Sequence, residues 1–448
     1  MSARLLYDLT GLVHWYAYFR HPGGVQRVIE KVASSDVVRQ SPAVEFVVRI
    51  LGSDRFYRID RELIASLGSG RSSAISRLRR ILAQGLRLAT LPEVMSEGRY
   101  FHLPYLAAGL TRMEGLLEAW TEGTARRSLP ALDIVAPPGA HDTLFNPGDL
   151  WWQKKYVATV AGLKARTGVR IVQMIHDLYL IERPEWTPAD SVRIFAGQLH
   201  GIAPSVDCWL TSSQFVRQQV QRYLADWSVP EKPIAVLPMG WDSFDALRKS
   251  GHDRLSDRPV LERHGLTGKP FILSVGTIEP RKNVPALLDA AEGLRARFGD
   301  AMPRLVIVGG YGWKAAEVRA RLASGSRNGT LVWLENLSDA DLGVLYRNAQ
   351  FTVMPSHGEG WGLAVQESLA LGVPCIASNA GATREAGLDL ATYFDPSSSE
   401  DLTRAMAGWI SDGAALAAAR DRIARALATR TFPSWNDAGS VLLRSALS

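Results

Sequence analysis

Short apolar runs rich in Val, Ile and Leu recur along the chain, separated by stretches whose apolar residues fall at helical spacing. The runs at 5–9, 44–50, 169–175, 206–211, 271–275, 305–308, 331–334, 351–354 and 374–377 read as strands. Several are apolar at successive rather than alternate positions, the mark of a strand covered on both faces. Between two of them a helix is predicted over 286–298, where Leu287, Leu288, Ala291, Leu294 and Phe298 share one face. Asn283 is expected to cap it, and Pro285 suits its first turn. Alternating strands and helices predict doubly wound parallel α/β domains. The rhythm breaks over 239–257, a polar stretch expected to link two domains, and restarts at Phe271.

Composition narrows the class. With 448 residues, two or three domains are expected at about 150 residues each. Hydrophobic residues at 46% and charged residues at 21% exclude disordered, collagen-like and coiled-coil chains. The net charge of +6 suits an anionic small molecule or a membrane surface, and no nucleic-acid partner is expected. The two cysteines, Cys208 and Cys375, stand outside any CxxC, against a disulfide framework or a cysteine zinc site. The opening residues lack the apolar core of a signal peptide, and no run approaches 18 apolar residues. The expectation is a cytoplasmic protein. One segment carries a charge bias: 63–92 has no acidic residue but contains Arg71, Arg77, Arg79, Arg80 and Arg87. Ile75, Leu78, Leu82 and Leu86 share a helical face there, so 71–88 either lies on anionic inner-membrane lipid or packs on the protein with a solvated basic face.

Candidate chemistry concentrates in two loops. PSHGEGWGLAVQESLALGVPCIAS, 355–378, follows a strand, places Gly358, Gly360 and Gly362 in a turn, then becomes helical. Such a turn at a helix N-terminus offers free N–H groups to a phosphate, or is simply a tight turn. Glu359 lies in the turn and Glu367 about two turns into the helix. A helical rise of roughly 12 Å over eight residues keeps them from sharing one proton. They are expected to hold hydroxyls on different parts of one extended ligand, with an exposed helix charge as the other reading of Glu367. In SVGTIEPRKNVPALL, 274–288, a strand ends at Gly276-Thr277 and presents Arg281 and Lys282, a natural grip for a diphosphate unless the loop is merely solvated. Gly23-Gly24 precedes a helix, and His176-Asp177 follows a strand; the other readings are a backbone-satisfied strand end for His176 and a turn or cap for Asp177. Walker, dinucleotide, nucleophile-elbow and HExxH motifs are absent, and the histidines show no metal-ligand spacing.

Together these stretches resemble the retaining glycosyltransferases of family four, which have the GT-B fold. EGWGLAVQE fits the family's signature of two glutamates with seven residues between them, and GTIEPRKN, PGGVQR, HDL and LENLSDADLGVLYRNAQFTVMPS add to it. The likeness is closest over 270–394, while 51–129 matches nothing placed. FNPGDLWW followed by HDLYLIERPEW is most similar to mannosyltransferases of bacterial surface polysaccharide assembly. The resemblance implies two Rossmann-like domains, 1–245 for the acceptor and 246–431 for a nucleotide-sugar, facing a cleft, with a helix in 432–448 crossing back. It implies that Arg281 and Lys282 clamp the donor diphosphate, that Glu359 holds the donor sugar, and that the backbone around Gly358, Gly360, Trp361, Gly362 and Leu363 meets sugar and phosphate. Glu367 would take the ribose, Gly24, next to Gly23, would offer an N–H to the distal phosphate, and the region near Leu337 would flank the base. His176 and Asp177 would sit by the sugar, and Gly276 and Thr277 would line the donor site. No metal or other cofactor is implied, and the acceptor would be a glycan or lipid-linked glycan. A GT-B epimerase or phosphorylase, and a non-catalytic nucleotide-sugar-binding protein, are the alternatives.

Overall fold

Apolar positions run together in the strands because neighbouring residues serve different cores. In a computed structural model, which describes residues 3–18, 21–49, 55–68, 133–148, 156–249 and 254–448, Leu5 and Tyr7 join one cluster on one sheet face while Leu6 joins another on the opposite face. Likewise Ile272 and its neighbours Phe271 and Leu273 enter different clusters. Each sheet is therefore covered by helices on both sides.

The strands are β1 (Leu5–Asp8), β2 (Val44–Arg49), β3 (Phe56–Arg58), β4 (Ile134–Val135), β5 (Thr143–Asn146), β6 (Arg170–Ile175), β7 (Cys208–Thr211) and β8 (Ile234–Val236) in the first half of the chain. In the second half they are β9 (Phe271–Val275), β10 (Arg304–Val308), β11 (Leu331–Leu334), β12 (Phe351–Met354), β13 (Cys375–Ser378) and β14 (Thr392–Phe394). They form an eight-stranded sheet ordered β4-β3-β2-β1-β5-β6-β7-β8 and a six-stranded sheet ordered β11-β10-β9-β12-β13-β14. The second sheet is parallel throughout. In the first, only β3 runs antiparallel to its neighbours β2 and β4. Every run read as a strand is one. The additional strands β3, β4, β5, β8 and β14 are two to four residues long, too short for a period to show.

In the second sheet the chain builds β9, β10 and β11 outward, then returns to the other side of β9 for β12. The crevice outside the carboxyl ends of β9 and β12 is the topological switch point at which such sheets bind ligands. Both chemistry-bearing loops, 276–283 and 355–362, open there.

One local expectation is corrected. Asn283 occupies the position before the helix Val284–Phe298, but with φ 51° it is left-handed and its side chain makes no capping bond. A capping side chain needs the extended backbone that Asn283 lacks. Within 239–257, described residues of the polar stretch are packed. Met239, Trp241, Phe244 and Asp257 are buried, Trp241 stacks on Phe432 with centroids 4.2 Å apart, and Arg347 Nε donates to Asp257 at 2.7 Å. The final helix, Trp435–Leu447, buries Trp435, Ala438, Leu442 and Ala446 in a core of the first sheet. Thr143 Oγ1 donates to the Ala446 carbonyl at 2.6 Å, tying the end of the chain to β5. Among the described residues no helix is long and apolar enough to cross a membrane; the basic segment 71–88 lies outside them.

The helix Gly24–Ser34 buries Glu30 against Tyr16, whose hydroxyl donates to the carboxylate. Burial pushes the Glu30 carboxyl up to about 7, the Tyr16 hydrogen bond only partly offsetting it. The folded chain keeps a proton that the unfolded chain releases near pH 4.5, so this group makes stability fall as pH rises from about 4.5 to about 7. Glu30→Gln keeps an acceptor for Tyr16 and removes the titration. Thermal melts should show it more stable than the parent at pH 8 and no better near pH 4.5. Parallel melting profiles across that range would contradict this.

Candidate active site

The loop after β9 turns sharply because Gly276 takes φ 158° and the neighbouring strand approaches closely: a Cβ on Gly309 would collide with the Gly276 carbonyl. It then winds through the short helix Pro280–Lys282, presenting Arg281 and Lys282 side by side. The His357 N–H donates to the Arg281 carbonyl at 2.7 Å, which joins this loop to the one after β12. The second loop delivers Glu359 between the cations. Arg281 Nη1 donates to Glu359 Oε2 at 2.8 Å, and Lys282 Nζ to Glu359 Oε1 at 2.6 Å. Ser356 Oγ adds a bond of 2.6 Å to Oε1. On the far side of Arg281, Nη2 donates to the buried Glu279 at 2.9 Å.

Two cations and two carboxylates thus neutralise one another in a site largely removed from water. Burial alone would raise the Glu359 carboxyl, but Lys282 and Arg281 outweigh it and hold the group at about 2. Burial likewise opposes the Arg281 charge, and Glu359 and Glu279 overcome it, raising its pKa.

The first sheet supplies the facing wall. His176 and Asp177 follow β6, and a Cβ on Gly360 would strike the His176 carbonyl. Ser212 Oγ lies 2.7 Å from the His176 carbonyl and 2.9 Å from that of Gly360, within donating reach of both halves. Glu385 accepts the N–H groups of Gln214 and Phe215 at 2.8 and 2.9 Å, capping the helix Gln214–Asp226 from the opposite half. Tyr179 packs against Gly358 and Gly381, 5.6 Å from the Arg281 guanidinium.

The structure brings Arg281, Lys282 and Glu359 into one cluster, beside Gly358 and Gly360. Asp177 acts on it electrostatically through Arg281. Gly23 and Gly24 open the helix Gly24–Ser34, and Gly24 abuts Leu363, the first residue of the helix Leu363–Ala370, which Gly362 precedes at φ 110°. Two helix N-termini therefore point into the cleft. Gly276 packs against the Lys282 side chain, and Thr277 supports the loop through Gly312.

Other residues sit differently from the sequence reading. His176 Nε2–H donates to the Pro147 carbonyl at 2.7 Å, and burial lowers the imidazole pKa, so the ring is neutral at pH 7 and held by backbone. The Trp361 side chain packs against a core of the first half and donates to Gln366 at 2.7 Å, a placement that says nothing against its backbone meeting a ligand. Leu337 is half-buried against a core of the second half, and from its loop Asp339 reaches across the cleft. Glu367 lies little more than one turn into its helix, because the helix starts at Leu363. It meets none of the partners of Glu359. Instead Arg27 Nη1 donates to it at 2.6 Å and the Tyr346 hydroxyl at 3.0 Å.

Sequence reasoning missed Glu279, Ser356, Arg27, Asp339, Tyr346 and Ser212. Glu279 and Arg27 had a signal, being charges inside the quoted stretches GTIEPRKN and PGGVQR. Tyr346 had none, since its partner lies 21 residues away. Among the described residues no three His, Cys, Asp or Glu side chains gather as metal ligands would. Arranged this way, the site offers a dianion two cations and two helix N-termini, and offers hydroxyls two carboxylates.

Comparisons with known proteins bear on the family and the fold. The family profile for glycosyl transferases group 1 matches residues 260–427. The chain is 32% identical over 227 residues to the O-antigen chain mannosyltransferase B of Escherichia coli, a match spanning 51% of this chain and 58% of that protein. The fold overlays on WaaG, a glycosyltransferase involved in lipopolysaccharide biosynthesis, with TM-score 0.56 at 15% identity, covering 98% of this chain and 99% of that one. It overlays on Anabaena Alr3699/HepE, solved in complex with UDP and glucose, with TM-score 0.59 at 13% identity, covering 99% and 98%. Residues 260–427 are therefore a glycosyl transferases group 1 domain of family four, carried in a chain with the GT-B fold.

Proposed function

We propose that this protein is a retaining, metal-independent glycosyltransferase that moves a hexose from a nucleotide-diphosphate sugar to a glycan or lipid-linked glycan during surface polysaccharide synthesis. GDP-mannose is the donor put forward, on the similarity to the O-antigen mannosyltransferase. The observation that carries the reading is the convergence of Arg281, Lys282 and Glu359 at the switch point of the second sheet.

Donor binding exchanges partners. The diphosphate oxygens take Arg281 and Lys282, and Glu359, released from them, accepts hydroxyls of the hexose. The bond from the anomeric carbon to the phosphate oxygen breaks while the acceptor oxygen attacks from the same face. The acceptor proton passes to the departing phosphate oxygen. Negative charge grows on the diphosphate as that bond stretches, so cations already in place stabilise the transition state more than the ground state. The Gly24 and Leu363 helix N-termini add partial positive charge toward the phosphates. Burial of the site excludes the water that would otherwise hydrolyse the donor. The acceptor side, and contact of 71–88 with anionic inner-membrane lipid at the cytoplasmic face, belong to the same proposal.

A thermal-shift screen of GDP, UDP, TDP and ADP with their sugar conjugates tests the donor. A bound nucleotide at 100 times its Kd should stabilise the fold by about 2.7 kcal/mol, a shift of several degrees. GDP and GDP-mannose are expected to stand out, and a stronger UDP response would replace mannose as the transferred sugar. Arg281→Ala should lower turnover on the order of 10² to 10³-fold while leaving the melting profile cooperative, and near-parental turnover would refute the diphosphate clamp. NMR of the product should show the donor's anomeric configuration retained in a new glycoside. An epimerised nucleotide-sugar or a sugar phosphate would point to an epimerase or a phosphorylase, and binding without any product to a non-catalytic protein.

A further inference from the structure

Arg27 is a charge from the first half buried between two carboxylates of the second. It lies one turn into the helix Gly24–Ser34, directly behind the glycines that open the cleft. Nη1 donates to Glu367 at 2.6 Å and Nη2 to Asp339 at 2.7 Å, and the Arg27 side chain is 12% exposed. Burial opposes the guanidinium charge, and Glu367 and Asp339 overcome it, so the cation persists at any working pH. Nε is buried with no hydrogen-bond partner in the structure. The carboxylate at the other end is equally constrained: Glu367 Oε2 accepts the Tyr346 hydroxyl at 3.0 Å while Oε1 takes Arg27.

A carboxylate presents about four lone-pair sites, two on each oxygen. Arg27 occupies one on Oε1 and Tyr346 one on Oε2, which leaves one free site on each oxygen, spaced for two hydroxyls on adjacent carbons. The same two bonds set the plane of the carboxylate within its helix. One of these fixtures, Tyr346, belongs to the half that carries Glu367; the other comes from across the cleft.

We infer that Arg27 is a positioning residue for the vicinal hydroxyls of the nucleotide ribose. It orients Glu367 from the opposite half, so that recognition of the ribose is complete only when the two halves meet. This rests on the glycosyltransferase reading and deepens it, assigning to the first half a share in nucleoside recognition beyond its contact with phosphate.

The test compares binding of GDP, UDP, their 2′,3′-dideoxy forms and inorganic pyrophosphate to the full chain by calorimetry. The parent should prefer the ribonucleotide over its dideoxy form by at least tenfold. In Arg27→Ala that preference should collapse to within about twofold, with pyrophosphate affinity unchanged. Arg27→Lys, which keeps the charge and one donor, should restore part of it. Glu367→Gln should also remove the preference, and the double variant should lose no more than either single one. A preference preserved in both Arg27 variants overturns the inference while leaving the enzyme reading intact. Equal losses for pyrophosphate overturn it too, assigning Arg27 to phosphate or to the fold. If the parent binds none of GDP, UDP, TDP and ADP, the glycosyltransferase reading itself fails, and this inference with it.

Discussion

A half-buried carboxylate held between two half-buried cations is the constraint on which the site depends. Glu359, Arg281, Lys282 and Glu279 sum to zero charge, and each would be costly in that position without the others. Their mutual bonds hold the loops after β9 and β12 at one distance, helped by the backbone bond from His357 to Arg281. On the reading proposed above, a donor would displace Glu359 from the two cations, exchanging a carboxylate for phosphate oxygens.

The contact between halves is made chiefly of polar and close-packed features. Ser212 bridges two carbonyls, Glu385 caps a helix across the cleft, Arg27 joins Glu367 and Asp339, and Gln366 donates to the Met239 carbonyl at 3.0 Å. Glycines at 358, 360 and 381 let loop backbones touch Tyr179 and His176 where a side chain would collide. Interfaces of this polar kind are compatible with relative motion of the parts they join. The final helix is attached differently, through Trp435, Leu442 and Ala446 sunk in the core of the first sheet, so it anchors where the cleft contacts can exchange.

Much of the fold was legible along the chain because covered parallel strands write their burial directly into consecutive apolar residues, and each run read as a strand lies in a sheet. The additional strands escaped because two to four residues carry no period. The two chemistry-bearing loops were legible for a related reason: a charge or glycine cluster directly after a strand is a local signal, and both lie at the carboxyl ends of β9 and β12.

Sequence alone determined the α/β class, the two loops, and the residue types that suit a diphosphate and hydroxyls, since each depends on neighbours a few positions apart. Tertiary structure decided the pairing of these groups. Glu359 with Arg281 is a contact across 78 residues and Arg27 with Glu367 one across 340, and no local pattern encodes either. The same long-range packing turned His176 toward the Pro147 carbonyl and laid the Trp361 side chain against a core of the other half. It also closed the polar stretch 239–257 around Trp241 and Asp257. Which buried charge finds which partner depends on how two sheets meet, and that is a property of the assembled cleft.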